Sequence, residues 1–247
     1  MKTFTHEVVS PQNLGIADRD RMFAIFEACY DMVSRVGFEG DLEGKSSVVL
    51  MRDGAGVVRG FSTQEVYEHA SATGAIRVLF SGDTVVEPEC WGRSELVHGW
   101  CAVAANALAA APRRPLYWFL ISKGHRTYRY LPVFFRRFIP GPTPDAPPEW
   151  RTMLDEVARA RFGAHYDAAA GLIRFPESRG QLARGLAEVP AARRSDPHIR
   201  YFLHRNPEYA SGVELACFAE VSLANTHGLG RRWLEEAINR TASRSAA

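Results

Sequence analysis

The sequence predicts a mixed α/β fold in which a mostly antiparallel sheet is flanked by helices. Three observations predict it: an amphipathic helix near the N-terminus, three strand-like segments joined by glycine-containing turns, and a strand–helix–strand succession after them. Strands joined by short turns run antiparallel, whereas strands joined through a helix run parallel. At 247 residues, the chain is long enough to bury a substantial core.

The first predicted elements are one helix and three strands. Residues 18–36 carry Met22, Phe26 and Tyr30 at helical spacing after an acidic start, which favours an amphipathic helix. β-Branched and aromatic residues on both sides of glycine-containing turns indicate strands. The predicted strands are residues 46–53, 57–69 and 75–88.

A helix, a strand and a second helix follow. Residues 92–111 form the first of these helices, because Leu96 and Val103 belong to an apolar stripe with a period near 3.6. The segment LYWFLI, residues 116–121, is apolar throughout, which is typical of a strand covered on both faces at the centre of a sheet. Aromatic residues at helical spacing predict the second helix over residues 126–138.

The predicted organisation has three parts. A core over residues 1–138 is followed by a connector over 139–150 and an α/β extension over 151–247. The connector holds five prolines, so we expect an extended, semi-rigid segment. Within the extension we predict a helix at 151–162, a strand at 171–175, a helical turn at 197–205, a strand at 213–222 and a helix at 229–238.

Composition limits the classes of function. A net charge of +2 is too small to argue for a nucleic-acid partner, and we expect none; the arginines clustered over residues 126–137 support at most a local anion site. No apolar run approaches the ~18 residues of a membrane span, and the first residues lack a signal-peptide pattern. Four cysteines without a CxxC pair indicate reduced thiols, so we expect a cytoplasmic protein. His98 lies three residues before Cys101 without further ligands nearby in sequence, and we expect no metal site.

The junction VVEPECWGRS, between the third strand and the helix after it, is a candidate anion site. The N–H groups of residues 92–95 are free at a helix start, where the helix dipole also favours an anion. Gly92 allows close approach, Arg93 adds charge and Ser94 adds a hydroxyl donor. Glycine and serine are also common at such junctions because they turn and cap chains. These residues alone leave both a phosphate site and a plain turn open.

The pattern V-x-P-E-x-x-G-R-S, which begins at Val86, resembles the acyl-CoA pyrophosphate loop of the GNAT acyltransferases. The order of elements over residues 18–138 resembles that family too, in which the next strand splays away to admit the pantetheine arm. The resemblance implies a GNAT-like sheet, acyl-CoA as co-substrate and acyl transfer to an amine. The cofactor-binding residues that it implies are Val85, Val86, Trp91, Gly92, Arg93, Ser94, Lys123 and Arg126.

Some of these positions depart from the family pattern or have an alternative explanation. Trp91 stands where the family usually has arginine or glutamine, and Ser94 stands where it usually has a second glycine. The family's last helix often carries a tyrosine that protonates the leaving thiolate, whereas this sequence has phenylalanines at 134–135. Lys123 and Arg126 are alternatively a solvated basic turn.

Acyl transfer to an amine needs a base for the ammonium, donors for the oxyanion and an acid for the thiolate. Ser81 and Asp83 are the polar residues of the third strand nearest to the loop, and Tyr128 and Tyr130 are the candidate acids. Each is alternatively an ordinary strand, surface or core residue. Further candidates on the preceding strand are Glu65, Tyr67 and His69.

The aromatic segment YLPVFFRRF, with Trp100 and Trp118 nearby, is either ordinary core or the wall of a tunnel for an acyl chain longer than acetyl. An extension after the GNAT-like part suits a larger acceptor. In this respect the chain resembles GNAT-type maturases that attach fatty acyl groups to lysine or ornithine side chains of ribosomal peptides. We therefore expect an amine-bearing small molecule or peptide as partner. A non-catalytic acyl-CoA sensor and an unrelated interaction domain are the alternatives.

Overall fold

The structure is a computed structural model that describes residues 3–176 and 179–245. Its strands are β1 (Phe4–Val9), β2 (Tyr30–Asp31), β3 (Ser47–Asp53), β4 (Val58–Ser71), β5 (Gly74–Val86), β6 (Leu116–Ser122), β7 (Tyr166–Asp167), β8 (Leu172–Ile173), β9 (Gln181–Leu182) and β10 (Glu214–Glu220). An eight-stranded sheet has the order β1-β3-β4-β5-β6-β10-β8-β7, while β2 and β9 form a separate ribbon. Among the described strand pairs of this sheet, β5 with β6 is parallel and the others are antiparallel.

Helices cover both faces of the sheet. They are α1 (Ile16–Cys29), α2 (Arg35–Glu43), α3 (Glu95–Ala110), α4 (His125–Tyr128), α5 (Tyr130–Phe134), α6 (Glu149–Phe162), α7 (Pro197–Arg205) and α8 (Gly228–Ser245). Alternate residues of β5 divide between the faces: Leu79 packs in the cluster of α3 and α8, whereas Val78 and Phe80 pack in the cluster of α6. The predicted fold class, a mostly antiparallel sheet flanked by helices, is confirmed. No described helix has both the length and the apolar character of a membrane span.

The strand at residues 116–121 is confirmed as a central, doubly covered strand. β6 lies between β5 and β10, and six of its seven residues are buried. The strands at 46–53, 57–69 and 75–88 and the helix at 92–111 are also present, with shifted ends. β1 was not anticipated, because its alternating pattern is short and its residues are largely exposed.

Two predicted helices are wrong in their extent. Residues 18–36 are not one helix: α1 ends at Cys29 because Tyr30 is extended and pairs with Leu182, and α2 then begins after Ser34. Residues 126–138 are not one helix either. They form two short helices, and Phe135 then leaves for an extended stretch in which Ile139 pairs with the backbone of β10. In both places a long-range strand pairing outweighs local helical periodicity.

A β-bulge bends β5 where it leaves β6. On β4, Ser62 pairs with Thr84 but Gln64 pairs with Ser81, so two residues of β5 face one residue of β4. The parallel pairing of β5 with β6 ends at Ser81 and Leu120. Both strands continue beyond this point, so they diverge and leave a cleft.

The bulge depends on Gly82. A Cβ at this position would lie 2.7 Å from Thr63 Oγ1 and 2.8 Å from Lys45 Cε. The absent side chain therefore makes room for the buried Lys45 beside the cleft.

The C-terminal part of the chain contributes to the main sheet and crosses the cleft. β10 pairs with β6 over six residue pairs, from Leu215 with Ser122 to Glu220 with Tyr117. Residues 179–187, which we call the strap, include β9 and lie against β2. The predicted division into residues 1–138, 139–150 and 151–247 stays a prediction.

Candidate functional site

Three cavities meet where β5 and β6 diverge. The loop cavity, about 210 Å³, lies at the start of α3; the charged cavity, about 870 Å³, lies beside α2 and α6; the apolar cavity, about 50 Å³, lies between α3, α5 and α8. Thr84 and Thr127 line all three. Neither threonine was predicted, because Thr84 lies after the bulge in β5 and Thr127 lies in α4, and only the divergence of β5 and β6 brings the two elements together.

The loop cavity collects most of the predicted cofactor-binding residues. Two aliphatic residues come from the end of β5, three residues from the loop after it, and two basic residues from the turn and helix after β6. They are Val85, Val86, Trp91, Gly92, Arg93, Lys123 and Arg126. Ser94 is at the N-cap of α3, makes no side-chain cap bond and does not line the cavity. Leu182 and Leu186 of the strap cover the opposite side.

The backbone of this loop suits an anion. Gly92 has a φ of +86°, which other residues rarely adopt, and an added Cβ there would meet no atom within 4 Å. Within the described residues, the N–H groups of Gly92, Arg93 and Ser94 have no backbone acceptor. The turn is therefore a group of free donors at the N-terminus of a 16-residue helix.

Basic and aromatic side chains border these donors. The Trp91 indole donates a hydrogen bond to the carbonyl of Val86 (3.0 Å), and the Arg126 guanidinium lies 4.3 Å from the Trp91 ring centroid. Burial, together with the nearby charge of Arg193, lowers the pKa of Arg126. Two guanidinium groups this close are stabilised by an anion near both of them.

Asp83 lies in the bulge and faces the charged cavity. Burial raises the pKa of Asp83 to about 7, and the nearby Asp41 adds to the rise. Lys123 and Lys45 oppose it. A carboxyl group with this pKa is half ionised near neutral pH, which suits a base that exchanges protons with a substrate.

Three ion pairs line or border the charged cavity. Lys45 Nζ lies 2.5 Å from a carboxylate oxygen of Asp41. Arg161 pairs with Glu65 at 2.7 Å, and Lys123 pairs with Glu214 at 3.4 Å. Burial is the main cause of the raised pKa of Glu214, and the charge of Lys123 opposes it.

Most of these residues were not predicted. Glu214 carried a usable signal, since a glutamate in the apolar run VELACFAEV is unusual in a buried strand. Lys45 gave no such signal, because its burial depends on the missing side chain of the distant Gly82.

The other predicted catalytic residues separate into different environments. Ser81 is buried, accepts a hydrogen bond from the Trp118 indole (2.8 Å) and lines the apolar cavity. Tyr130 lines both the loop cavity and the apolar cavity, and burial raises its pKa. Of the candidates on β4, Glu65 lines the charged cavity, whereas Tyr67 and His69 line none of the three.

Tyr128 does not reach the cleft. Its side chain is fully buried against Phe138 and Phe202, and its hydroxyl donates to the carbonyl of Pro140 (2.8 Å). It lines none of the three cavities. A hydroxyl committed in this way cannot supply a proton to a group in the cleft without local rearrangement, so Tyr128 leaves the set of candidate acids.

Part of the aromatic segment YLPVFFRRF lines the apolar cavity. Its wall comes from α3, β6, α5 and α8, and includes Leu96, Val97, Trp100, Trp118, Phe134 and Leu234. The Trp100 indole nitrogen is buried without a partner among the described residues. In the described residues, no group of three or more His, Cys, Asp or Glu side chains is arranged to hold a metal ion.

No protein-family model matches the chain, and no curated protein matches it in sequence. In structure it is similar to a probable N-acyltransferase from Enterococcus faecalis V583, with 13% identity and a TM-score of 0.40, over 55% of this chain and 33% of that chain. It is similar to a GNAT family N-acetyltransferase from Escherichia coli in complex with CoA, with 13% identity and a TM-score of 0.36, over 54% of this chain and 68% of that chain.

A third similar structure is an N-acyl amino acid synthase from uncultured soil microbes, with 12% identity and a TM-score of 0.37, over 54% of this chain and 79% of that chain. The chain spans about a third of the length of the Enterococcus faecalis protein. Identities and TM-scores in this range assign neither a family nor an activity.

Proposed function

We propose that the protein is an acyl-CoA-dependent N-acyltransferase with a GNAT-like fold. The observation that carries the proposal is a cleft between two diverging parallel strands, with free backbone donors at one end and the half-buried carboxyl group of Asp83 at the other. A thioester donor with a phosphorylated carrier needs the first feature, and an amine acceptor needs the second.

The donor would bind along the loop cavity. In the proposal, the N–H groups of Gly92, Arg93 and Ser94 receive the pyrophosphate and Arg126 adds positive charge, while Lys123 borders the same cavity in its ion pair with Glu214. Val85 and Val86 border the pantetheine arm as it enters between β5 and β6. This arrangement brings the thioester to the meeting point of the three cavities, beside Thr84 and Thr127.

The acceptor would enter through the charged cavity. Asp83 takes a proton from the ammonium, and the free amine attacks the thioester carbonyl carbon. The C–N bond forms, the C–S bond breaks, and the thiolate takes a proton from the hydroxyl of Tyr130. The nitrogen gives up its second proton as the amide forms, and this proton restores the Tyr130 hydroxyl through solvent in the cleft. Ser81 stays a candidate oxyanion donor, although its contact with Trp118 also suits a purely structural role.

We further propose that the acyl group is longer than acetyl and that the acceptor amine belongs to a lysine or ornithine side chain of a peptide. The apolar cavity supports the first point because it adjoins the loop cavity at Thr127 and Tyr130 and offers about 50 Å³ of apolar space for carbons beyond acetyl. The 870 Å³ of the charged cavity support the second, since they exceed what a small amine occupies. The four cysteines are all free, which supports a cytoplasmic setting.

Thiol release from acetyl-, octanoyl- and palmitoyl-CoA, measured with and without a mixture of amines and lysine-containing peptides, tests the proposal. We expect release that depends on an amine and a product heavier by one acyl group. Tight CoA binding without release with any amine would instead support a non-catalytic sensor. Turnover of acetyl-CoA alone would contradict the longer acyl group.

A further inference from the structure

The charged cavity contains more ionic groups than acyl transfer requires, and most of them are matched. Asp41 is neutralised by Lys45, Glu65 by Arg161 and Glu214 by Lys123. Ion pairs of this kind hold their partners in place and offer little net charge to a ligand. The charges that a ligand should carry are therefore set by the ionic groups of the cavity that have no ion-pair partner.

One carboxyl group and one guanidinium group remain, beside the imidazole of His165. Within the described part of the chain, Asp83 and Arg179 line the cavity and neither belongs to an ion pair. The charge of Arg179 acts on Glu214 and the charge of Glu214 acts on Asp83, and all three groups line the same cavity.

The strap holds Arg179 at the mouth of the charged cavity, where this residue is exposed to solvent. Lys123 Nζ donates to the backbone carbonyl of Arg179 (2.9 Å), which ties the start of the strap to the end of β6. The guanidinium lies 4.2 Å from the ring centroid of Phe175. An aromatic ring against one face leaves the edge of a guanidinium free, and this edge donates two parallel hydrogen bonds to a carboxylate.

We propose that the acceptor carries a carboxylate as well as its amine, with the carboxylate bound by Arg179 and the amine directed to Asp83. A ligand with both charges pairs with Asp83 and with Arg179 at once, whereas a simple amine pairs with Asp83 only and leaves Arg179, which is exposed at the cavity mouth, to solvent. This inference rests on the proposed acyl transfer. The carboxylate has two sources: the α-carboxylate of a free amino acid, or an acidic residue beside the lysine or ornithine of a peptide.

Matched acceptors separate the carboxylate from the rest of the molecule. Lysine is compared with 1,5-diaminopentane, which lacks only the carboxylate, and a Lys-Asp peptide is compared with a Lys-Asn peptide. Both ends of the peptides are blocked. Binding is measured by calorimetry without donor, and KM and kcat are then measured with octanoyl-CoA.

The variant for this test is Arg179→Gln, and its matched control is Arg184→Gln, an exposed arginine of the same strap. We expect the wild type to bind one carboxylate-bearing acceptor at least tenfold more tightly than its partner. Arg179→Gln should remove that difference through KM, with kcat little changed, while Arg184→Gln keeps it. Preference for lysine indicates a free amino acid, and preference for the Lys-Asp peptide indicates a peptide.

The inference would be overturned if the wild type bound the carboxylate-bearing acceptor and its matched partner equally tightly in both pairs. It would also be overturned if Arg179→Gln lowered the affinity for both members of a pair equally. Failure to bind any of the four acceptors would overturn it too. The proposed acyl transfer is judged separately. Selective binding without thiol release would leave the inference standing and refute acyl transfer, and unselective turnover would do the reverse.

Discussion

At the scale of single residues, Asp83 combines a destabilising position with a useful chemical property. The carboxyl group is half-buried in a bulge, has no ion-pair partner among the described residues and has a pKa raised to about 7. Burial that disfavours the ionised form is also what brings a carboxyl group into the range of a general base.

Asp83→Asn should lower kcat/KM by roughly 10²–10⁴ because the amide cannot accept the ammonium proton. In the wild type, kcat/KM should rise with pH through about 7, where Asp83 loses its proton, and then level off. The variant should lack this inflection. A pH–rate profile measures both effects. Asp31→Asn, which changes an exposed carboxylate on β2, is the control and should retain the profile.

The same substitution should stabilise the protein at alkaline pH. The folded-state pKa of Asp83 lies above its value of 3.8 in an unfolded chain, so the folded state binds more protons between these values. The penalty for burying the charge is absent below the unfolded pKa, grows as the pH rises, and is complete above about 7. Asp83→Asn should therefore add roughly 0.5–2 kcal/mol at pH 8 and almost nothing at pH 4, measured by denaturant unfolding. A loss of stability at pH 8 would contradict this account.

At the scale of elements, the loop before α3 can be tested through Gly92. This glycine is needed for its backbone conformation, whereas an added side chain would meet no neighbouring atom. Gly92→Val should weaken CoA binding at least tenfold, since a β-branched residue disfavours the φ of +86° that orients the free N–H groups. Calorimetric titration with CoA measures this. Gly56 has a φ of +80° with no atom near an added Cβ, in the turn between β3 and β4. Gly56→Val should therefore lose similar stability but keep CoA affinity, and equal CoA affinity in both variants would refute the loop assignment.

The apolar cavity predicts a dependence on chain length. Val97→Phe, on the face of α3 that lines this cavity, should fill the space and lower kcat/KM for octanoyl-CoA at least tenfold relative to acetyl-CoA. A series of acyl-CoA substrates measures the shift. The control is Val133→Phe, which enlarges an exposed residue of α5 outside the cavity. Parallel losses for short and long chains would remove the cavity from the substrate path.

Sequence patterns predicted the elements with strong local signals and missed those made by distant pairing. The apolar run of β6 and the stripe of α3 were recognisable because each carries its own periodicity. The break after Cys29 was not, because it depends on Leu182, which lies more than 150 residues later. The same distinction holds for the site. The local sequence pattern indicated the loop before α3, whereas the proximity of Thr84 and Thr127 depends on the divergence of β5 and β6.

At the scale of the whole molecule, the sheet is long and tightly paired, whereas the strap is held by a short ribbon and by side-chain hydrogen bonds from Lys123, Arg126 and Tyr209. β10 and β6 share six residue pairs, but β9 and β2 share two, with one further backbone bond from Ala183 to Cys29. Short two-stranded ribbons are marginal on their own. The strap is nevertheless the segment that covers the loop cavity and carries Arg179.

Hydrogen exchange should reveal this difference. Backbone amides of the strap should exchange at least a hundredfold faster than those of β10, and saturating CoA should slow the strap amides selectively. Exchange measured by mass spectrometry with and without CoA checks both. The amides of β1, an exposed edge strand remote from the cleft, serve as the internal control. Strap amides as protected as β10 without ligand would contradict the prediction.

The strap also bears on the order of events during turnover. Leu182 and Leu186 face the loop cavity while Arg179, a few residues earlier, faces the charged cavity. One peptide segment thus borders the routes of both reactants, and displacing it would uncover both routes together. We therefore expect CoA and the acylated product to leave together when the strap moves away. Opening of the strap, rather than formation of the amide bond, should then limit the rate of turnover.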